Sequence, residues 1–260
     1  WRDRPLTLQR FPDGLDADGF FQQQRADHFP GWLPGQRLDR ADGSGRVAHV
    51  LCNEPADLRY LADQGTVTFH GWLSRRGAID RPDRLLFDLD PPGSSFEPVR
   101  FAARELRALL RELGLTPFLM TTGSRGAHVV VPIEPRSGFD AVRRFANAVA
   151  DLLARRHPER LTTAQRKNAR EGRLFLDVQR NSRGQTGVLP YSLRARPGAP
   201  VATPLDWREL DRDTLDAQSY RLDNLRQRLG AKRDPWAGID RHAARLDSVR
   251  PRLTELGREA

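Results

Sequence analysis

Lysine is nearly missing from this chain: of 43 basic residues only Lys167 and Lys232 are lysines, so its positive charge is almost all guanidinium. Cysteine is reduced to Cys52. A single thiol forms no internal disulfide, and without Cys or His partners at ligand spacing a thiolate zinc site is excluded. Cys52 reads instead as a small buried hydrophobe. No apolar run approaches the roughly 18 residues of a membrane span, and no charged-then-apolar leader opens the chain. The expected setting is an intracellular one, with no membrane partner. The opening WRDRPLTLQRFPDG reads as mid-domain sequence, so a segment preceding Trp1 is expected.

With 260 residues and ample apolar content, the chain is long enough for one large domain or two small ones. Its net charge of +9 is unevenly spread. Between Arg155 and Arg196 eleven basic residues face only Glu159, Glu171 and Asp177. Such a field favours a polyanion partner whose binding weakens steeply with salt. The plainer alternative is a solvated basic face in an arginine-rich chain.

Residues 1–35, rich in Pro, Gly, Gln and aromatics, read as a loop-dominated lobe with short strands. RVAHVLCN (46–53) and TVTFHGWL (66–73) read as strands around a helical turn near Asp57 to Ala62. LLFDLD (85–90) comes next, then a helix from Glu97 to Gly114 with Phe101, Leu106, Leu109, Leu110 and Leu113 at helical spacing and Gly114 as its C-cap. PFLMTT and AHVVVP flank GSRG as a tight strand-loop-strand. Helices are expected over 139–156 and 159–170, strands over 174–181 and 191–196, and helical pieces over 213–229 and 238–259. This order implies an α+β fold with a mostly antiparallel or mixed sheet flanked by helices. The expected organisation is a smaller N-terminal lobe (1–80), a core (81–210) and a C-terminal helical segment (211–260).

In LLFDLDPPG the strand period puts Asp88 and Asp90 on one face and Phe87 and Leu89 on the other. Two carboxylates so close repel unless a proton or cation neutralises them, and carboxylate oxygens suit Mg²⁺ or Mn²⁺. Asp177, in LFLDVQRN, is a third carboxylate in a short apolar strand. Three such groups on neighbouring strands could hold two metals about 4 Å apart for phosphoryl transfer. The alternative is a pair exposed at a strand end, with Asp177 bound to a neighbouring arginine. In TTGSRGAH, Gly123, Ser124 and Gly126 let backbone amides approach phosphate, while Thr122 and Ser124 offer hydroxyls, Arg125 charge and His128 an imidazole. A hairpin turn with a core histidine fits the same residues. Asp177, Gln179 and Asn181 are expected to alternate on one strand face, and Arg194 and Arg196 on another.

Together FDLDPP, TTGSRGAHVVVP, LFLDVQRN and YSLRARPGAPVATP closely resemble the polymerase domain of bacterial ligase D. RPLTLQRFPDG, GFFQ and FHGWLSR match its earlier blocks. That domain is primase-like, of the archaeo-eukaryotic primase superfamily, and acts in non-homologous end joining. The resemblance implies a nucleotidyltransferase adding nucleotides, with ribonucleotides preferred, to 3′ ends at breaks or short gaps. It implies Asp88, Asp90 and Asp177 as ligands to two Mn²⁺ or Mg²⁺ ions. It further implies His70, Thr122, Ser124, Arg125, His128, Arg180, Arg194 and Arg196 as contacts to a nucleoside triphosphate, and Phe20 and Phe21 as base-stacking aromatics. Implied partners are broken or gapped DNA, the end-binding Ku protein and a ligase, in the cytoplasm at the nucleoid. The chain departs from the family pattern at Gln23, Met120 and Arg125, where lysines are usual. The family's lysines for a downstream 5′-phosphate would precede Trp1. Two alternatives stand beside this reading. One is a haloacid-dehalogenase-like phosphatase, whose motif also begins FDLD but continues Gly-Thr rather than Pro91-Pro92. The other is a non-catalytic DNA-end binding module of the same fold.

Overall fold

In the computed structural model, which describes residues 1–40 and 43–259, the strands sort into two six-stranded sheets. The first contains β1 (Leu6–Arg10), β2 (Phe20–Gln22), β3 (Gly35–Asp39), β4 (Arg46–Val50), β5 (Thr66–Trp72) and β11 (Thr186–Val188). Its order is β11-β5-β1-β4-β3, with β2 also paired to β1. The second contains β6 (Arg84–Asp90), β7 (Phe118–Thr121), β8 (Ala127–Pro132), β9 (Leu161–Thr162), β10 (Leu174–Asp177) and β12 (Pro204–Leu205). Its order is β12-β7-β8-β6-β10-β9, antiparallel throughout except for the parallel pair β9-β10. The α-helices are α1 (Pro55–Asp63), α2 (Glu97–Glu112), α3 (Phe139–Arg156), α4 (Leu222–Ala231) and α5 (Leu246–Glu259). The α+β class is therefore as expected. Among the described residues no helix is long and apolar enough to cross a membrane.

Alternation in β6 decides what each face of the second sheet meets. Leu85, Phe87 and Leu89 are fully buried in a core they share with Val99, Leu106 and Leu109 of α2 and with Phe145 and Val149 of α3. Each such side chain contributes roughly 1.5–3 kcal/mol on burial. Leu86, one residue out of phase, packs the other way against Val130 and against Leu38, Trp72 and Leu73 from the first sheet and its margin. Helices thus cover one face of the second sheet and the first sheet covers the other. Asp88 and Asp90, in phase with Leu86, open into the space between the sheets. Helix α2 stops where expected, before Gly114 at φ +77°, and it starts with a proline in its first turn.

Several expected elements differ. The helix over 159–170 is replaced by β9 and a 3₁₀ turn, Lys167–Arg170, because this arginine-rich stretch has no apolar face and its buried pair, Leu161 and Thr162, joins β10 instead. The strand over 191–196 is a set of turns with one bridge, Leu193 to Val201, and Tyr191 takes a left-handed backbone at φ +63°. Arg194 and Arg196 accordingly do not alternate on a strand face. β10 ends at Asp177, and Gln179–Asn181 is a 3₁₀ turn. Asn181 is fully buried there because its side chain bonds both backbone groups of Leu86. The C-terminal part forms α4, a 3₁₀ turn at Ile239–His242, and α5, rather than helix over 213–229 and 238–259.

Candidate active site

Strand register builds the centre of the site. Asp88 on β6 lies opposite Asp177 on β10 and also opposite His128 on β8. Opposed residues of antiparallel strands project to the same side, so the three form a row across the sheet. Asp90 lies one pleat further on. From the first sheet, β5 contributes His70, which lies opposite Val188 of β11. The result is a cleft of about 180 Å³ walled by His70, Asp88, Asp90, Thr122, Ser124, Arg125, His128, Arg180 and Arg194.

Charge in the cleft is unevenly compensated. Burial would push the Asp88 carboxyl up, but His128, with Nε2 3.6 Å away, then Arg180 and Arg194 outweigh it and hold it below the usual carboxylate range. Asp177 is pushed above its ordinary value, by burial first; the Gln179 amide at 2.8 Å pulls against this, and the Asp88 and Asp90 charges add to the rise. Both oxygens of Asp90 are taken, one by Arg125 at 2.9 Å and one by Arg170 at 3.1 Å. The His70 imidazole is lowered to about 3 by burial and by the Arg194, Arg180 and His128 charges, so it is neutral at physiological pH. Among the described residues its Nε2 is buried without a hydrogen-bond partner, and so is Nδ1 of His128. Both residues wall the cleft, His70 from the first sheet and His128 from the second.

The glycine loop is held in shape by its own atoms. Thr122 Oγ1 donates to the Gly126 carbonyl at 3.0 Å, and the Ser124 amide donates to Thr122 Oγ1 at 3.3 Å. A Cβ on Gly126 would stand 2.0 Å from the Leu89 carbonyl oxygen, so only glycine lets the loop press onto the end of β6. Gly123 combines a φ of +63° with close approach: a Cβ there would sit 2.8 Å from Cγ of Arg194. The Arg194 stem therefore crosses the loop at Gly123. Its guanidinium enters the cleft with no hydrogen bond or ion pair among the described residues.

Other expected residues lie further out. Arg196 is exposed and outside the cleft wall, though near enough for its charge to be felt at Arg194. Phe20 and Phe21 are 46% and 63% exposed on β2, and the Phe21 ring meets His70 edge-on at 5.8 Å. Arg170, which stacks on Phe175 at 3.9 Å while bonding Asp90, was not expected, since the stretch around it read as a helix. Gln218, whose side chain donates to the Ser124 carbonyl at 2.8 Å, carries no sequence signal at all. Among the described residues no three carboxylate, histidine or cysteine side chains converge closely enough to cage a metal, with Asp90 turned to its arginines. The donors nonetheless fit a hard divalent cation in kind: all three are carboxylates, and Asp177 is raised by burial first and then by the nearby Asp88 and Asp90 charges.

Comparison with known proteins matches residues 1–236 to the family model "LigD, primase-polymerase domain". The chain is 38% identical over 261 aligned residues to the multifunctional non-homologous end joining protein LigD of Pseudomonas aeruginosa, covering 99% of this chain and 30% of that protein. It is 32% identical to the LigD protein of Mycolicibacterium smegmatis, covering 95% of this chain and 32% of the relative. The chain thus spans about a third of the length of these relatives. Among solved structures, the polymerase domain of Mycobacterium tuberculosis ligase D in complex with DNA superposes with a TM-score of 0.86 at 30% identity, covering 93% of this chain and 86% of that one.

Proposed function

The chain belongs to the LigD primase-polymerase domain family, a family of nucleotidyltransferase-type enzymes, and from that premise we propose that it extends 3′ ends at broken or gapped DNA from nucleoside triphosphates. The observation that carries this reading is the register that sets Asp88 opposite both Asp177 and His128, beside a cleft whose free guanidinium and neutral histidine suit a triphosphate. Asp88, Asp90 and Asp177 would hold two Mn²⁺ or Mg²⁺ ions, which when bound activate the attacking hydroxyl and neutralise charge on the departing pyrophosphate.

The chain's own residues do the rest. Arg194, Arg180 and Arg125 supply positive charge to the phosphates, with Arg196 adding to the field from outside. Ser124 presents its hydroxyl to the same oxygens, on a loop whose shape Thr122 holds by bonding the Gly126 carbonyl and the Ser124 amide. His70 offers a neutral Nε2 and His128 orients against Asp88. Phe21, backed by His70, and Phe20 stack on template or incoming base. A preference for ribonucleotides, cooperation with Ku and a ligase, and a cytoplasmic location at the nucleoid belong to the same proposal. Family membership removes the phosphatase alternative, while the non-catalytic binding module remains an outcome to test.

Primer extension on a gapped template, comparing ribo- and deoxyribonucleotides with Mn²⁺, is the direct test. Extension with ribonucleotides favoured is expected, and DNA binding with no extension would establish the binding module instead. Arg194→Ala is expected to weaken nucleotide affinity roughly 10- to 100-fold, the worth of a charge-assisted contact, while DNA affinity stays within about twofold. Equal losses in titrations with the two ligands would refute the triphosphate role.

A further inference from the structure

Tyr191 holds a backbone conformation that side chains disfavour, at φ +63°, where glycine is the default residue. Such a residue persists only when its surroundings over-determine it. Here its amide donates to the Ala202 carbonyl at 2.6 Å, and its phenol donates to Oδ1 of Asp234 at 2.8 Å. The same Oδ1 accepts the Trp236 amide at 2.9 Å, and Trp236 is pinned in turn through its indole N–H to the Leu119 carbonyl on β7, also at 2.9 Å. Burial, then Asp234, pushes the phenol well above its usual range, so it stays a donor at physiological pH.

The direction in which the chain leaves Tyr191 sets the course of residues 192–194. Ser192 Oγ accepts the Phe69 amide at 2.7 Å, and Thr68 Oγ1 donates to the Leu193 carbonyl at 2.8 Å. Those bonds fasten the turn to β5 beside His70. The Ala202 amide reaches the Ser192 carbonyl at 2.9 Å and the Arg194 amide reaches the Pro200 carbonyl at 2.8 Å. The Arg194 side chain then leaves the turn, crosses Gly123 and enters the cleft. A glycine at 191 would make the reversal without strain, but it could not reach Asp234.

We propose that the Tyr191–Asp234 hydrogen bond positions Arg194, making the 234–236 segment a working part of the nucleotide site rather than a surface strap. Tyr191 and Asp234 are positioning residues, and their role rests on the reading of Arg194 as a triphosphate contact.

The test titrates the full chain with a ribonucleoside triphosphate and Mn²⁺, alongside gapped DNA and thermal melting. Tyr191→Phe keeps the ring and removes the bond; it is expected to weaken nucleotide affinity about tenfold, raise KM in proportion and leave DNA affinity unchanged. Asp234→Asn keeps an acceptor at Oδ1 and is expected to retain most of the affinity, whereas Asp234→Ala behaves like Tyr191→Phe. Combined with Arg194→Ala, Tyr191→Phe should add no further loss, since both act through one guanidinium. Unchanged nucleotide affinity in Tyr191→Phe, multiplying losses in the double variant, or DNA affinity falling in step would each overturn the proposal. If Arg194→Ala alone leaves nucleotide affinity intact, the triphosphate reading of Arg194 fails and this proposal falls with it. A loss at Arg194→Ala with none at Tyr191→Phe overturns the proposal only.

Discussion

Replacing Asp88 by alanine is expected to lower nucleotide incorporation by roughly a thousandfold or more, while the protein still folds and still binds DNA. The packing of β6 rests on Leu85, Phe87 and Leu89, which point away from the cleft, so the substitution leaves the core untouched. What it removes is the central member of the row His128, Asp88, Asp177. Arg180, now 3.9 Å from the Asp88 carboxylate, and Arg194 lose a competing negative charge. Nucleotide should therefore bind as well as before or better, and the loss should fall on kcat rather than on KM. Single-turnover extension measured beside nucleotide affinity separates the two. Incorporation that survives the change would sink the assignment of Asp88 as a metal ligand.

The largest expected loss of stability lies elsewhere, at Glu209. Its side chain is 2% exposed and accepts bonds from Arg228, Tyr220 at 2.6 Å, Lys232 at 3.1 Å and the Asp206 amide at 2.8 Å. Arg228 also donates to the Pro204 carbonyl at 2.7 Å, so this one carboxylate ties α4 to β12. Glu209→Ala leaves Arg228 buried without a counter-charge, which typically costs about 3–5 kcal/mol. For a chain of this size that lowers the melting temperature by roughly 8–15 °C. Acid should expose the same pair. Burial would raise the Glu209 carboxyl, yet the bonds from Arg228, Tyr220 and Asp206 hold it at about 2; Asp83, also buried, is held at about 2 by Arg4 and Arg84. Both values lie below those of the unfolded chain, so this stabilisation is complete above the ordinary carboxylate range and disappears as pH falls from about 4.5 towards 2. Denaturant unfolding at neutral pH and near pH 3 should show that loss, on the order of 2–3 kcal/mol per group when complete. Glu209→Ala should show a shallower decline. An identical acid slope in the variant would refute the account.

Features governed by a local period were legible in the sequence. The alternation of Phe87 and Leu89 with Asp88 and Asp90, the helical spacing of Leu106, Leu109 and Leu110, and Gly114 as a helix stop all depend on residues a few positions apart. So did the short hairpin around Gly123 and Gly126, because its flanking strands are strongly apolar. What failed depends on distant partners. Arg166 to Arg170 looks helical by composition, but Leu161 and Thr162 are drawn into the sheet by β10. The stretch from Tyr191 to Arg196 alternates like a strand, yet the amides of Tyr191 and Arg194 are claimed by Ala202 and Pro200 and the Ser192 side chain by β5. Arg170 and Gln218 reach the site from 3₁₀ and irregular segments, where no repeating pattern marks which way a side chain points. Their contacts could be found only once the sheets were assembled.

The pairing of β11 with β5 bears on the order in which the molecule is made. Strand β5 is complete at Trp72, but its second neighbour is Thr186–Val188, over a hundred residues later. While the chain is still leaving the ribosome, one edge of β5 has its amides and carbonyls bare, and such an edge readily recruits other strands. Synthesis must carry past the strand of Asp177 before that edge closes and His70 gains its wall. The sheet that begins first is finished only after the strands that carry the three aspartates.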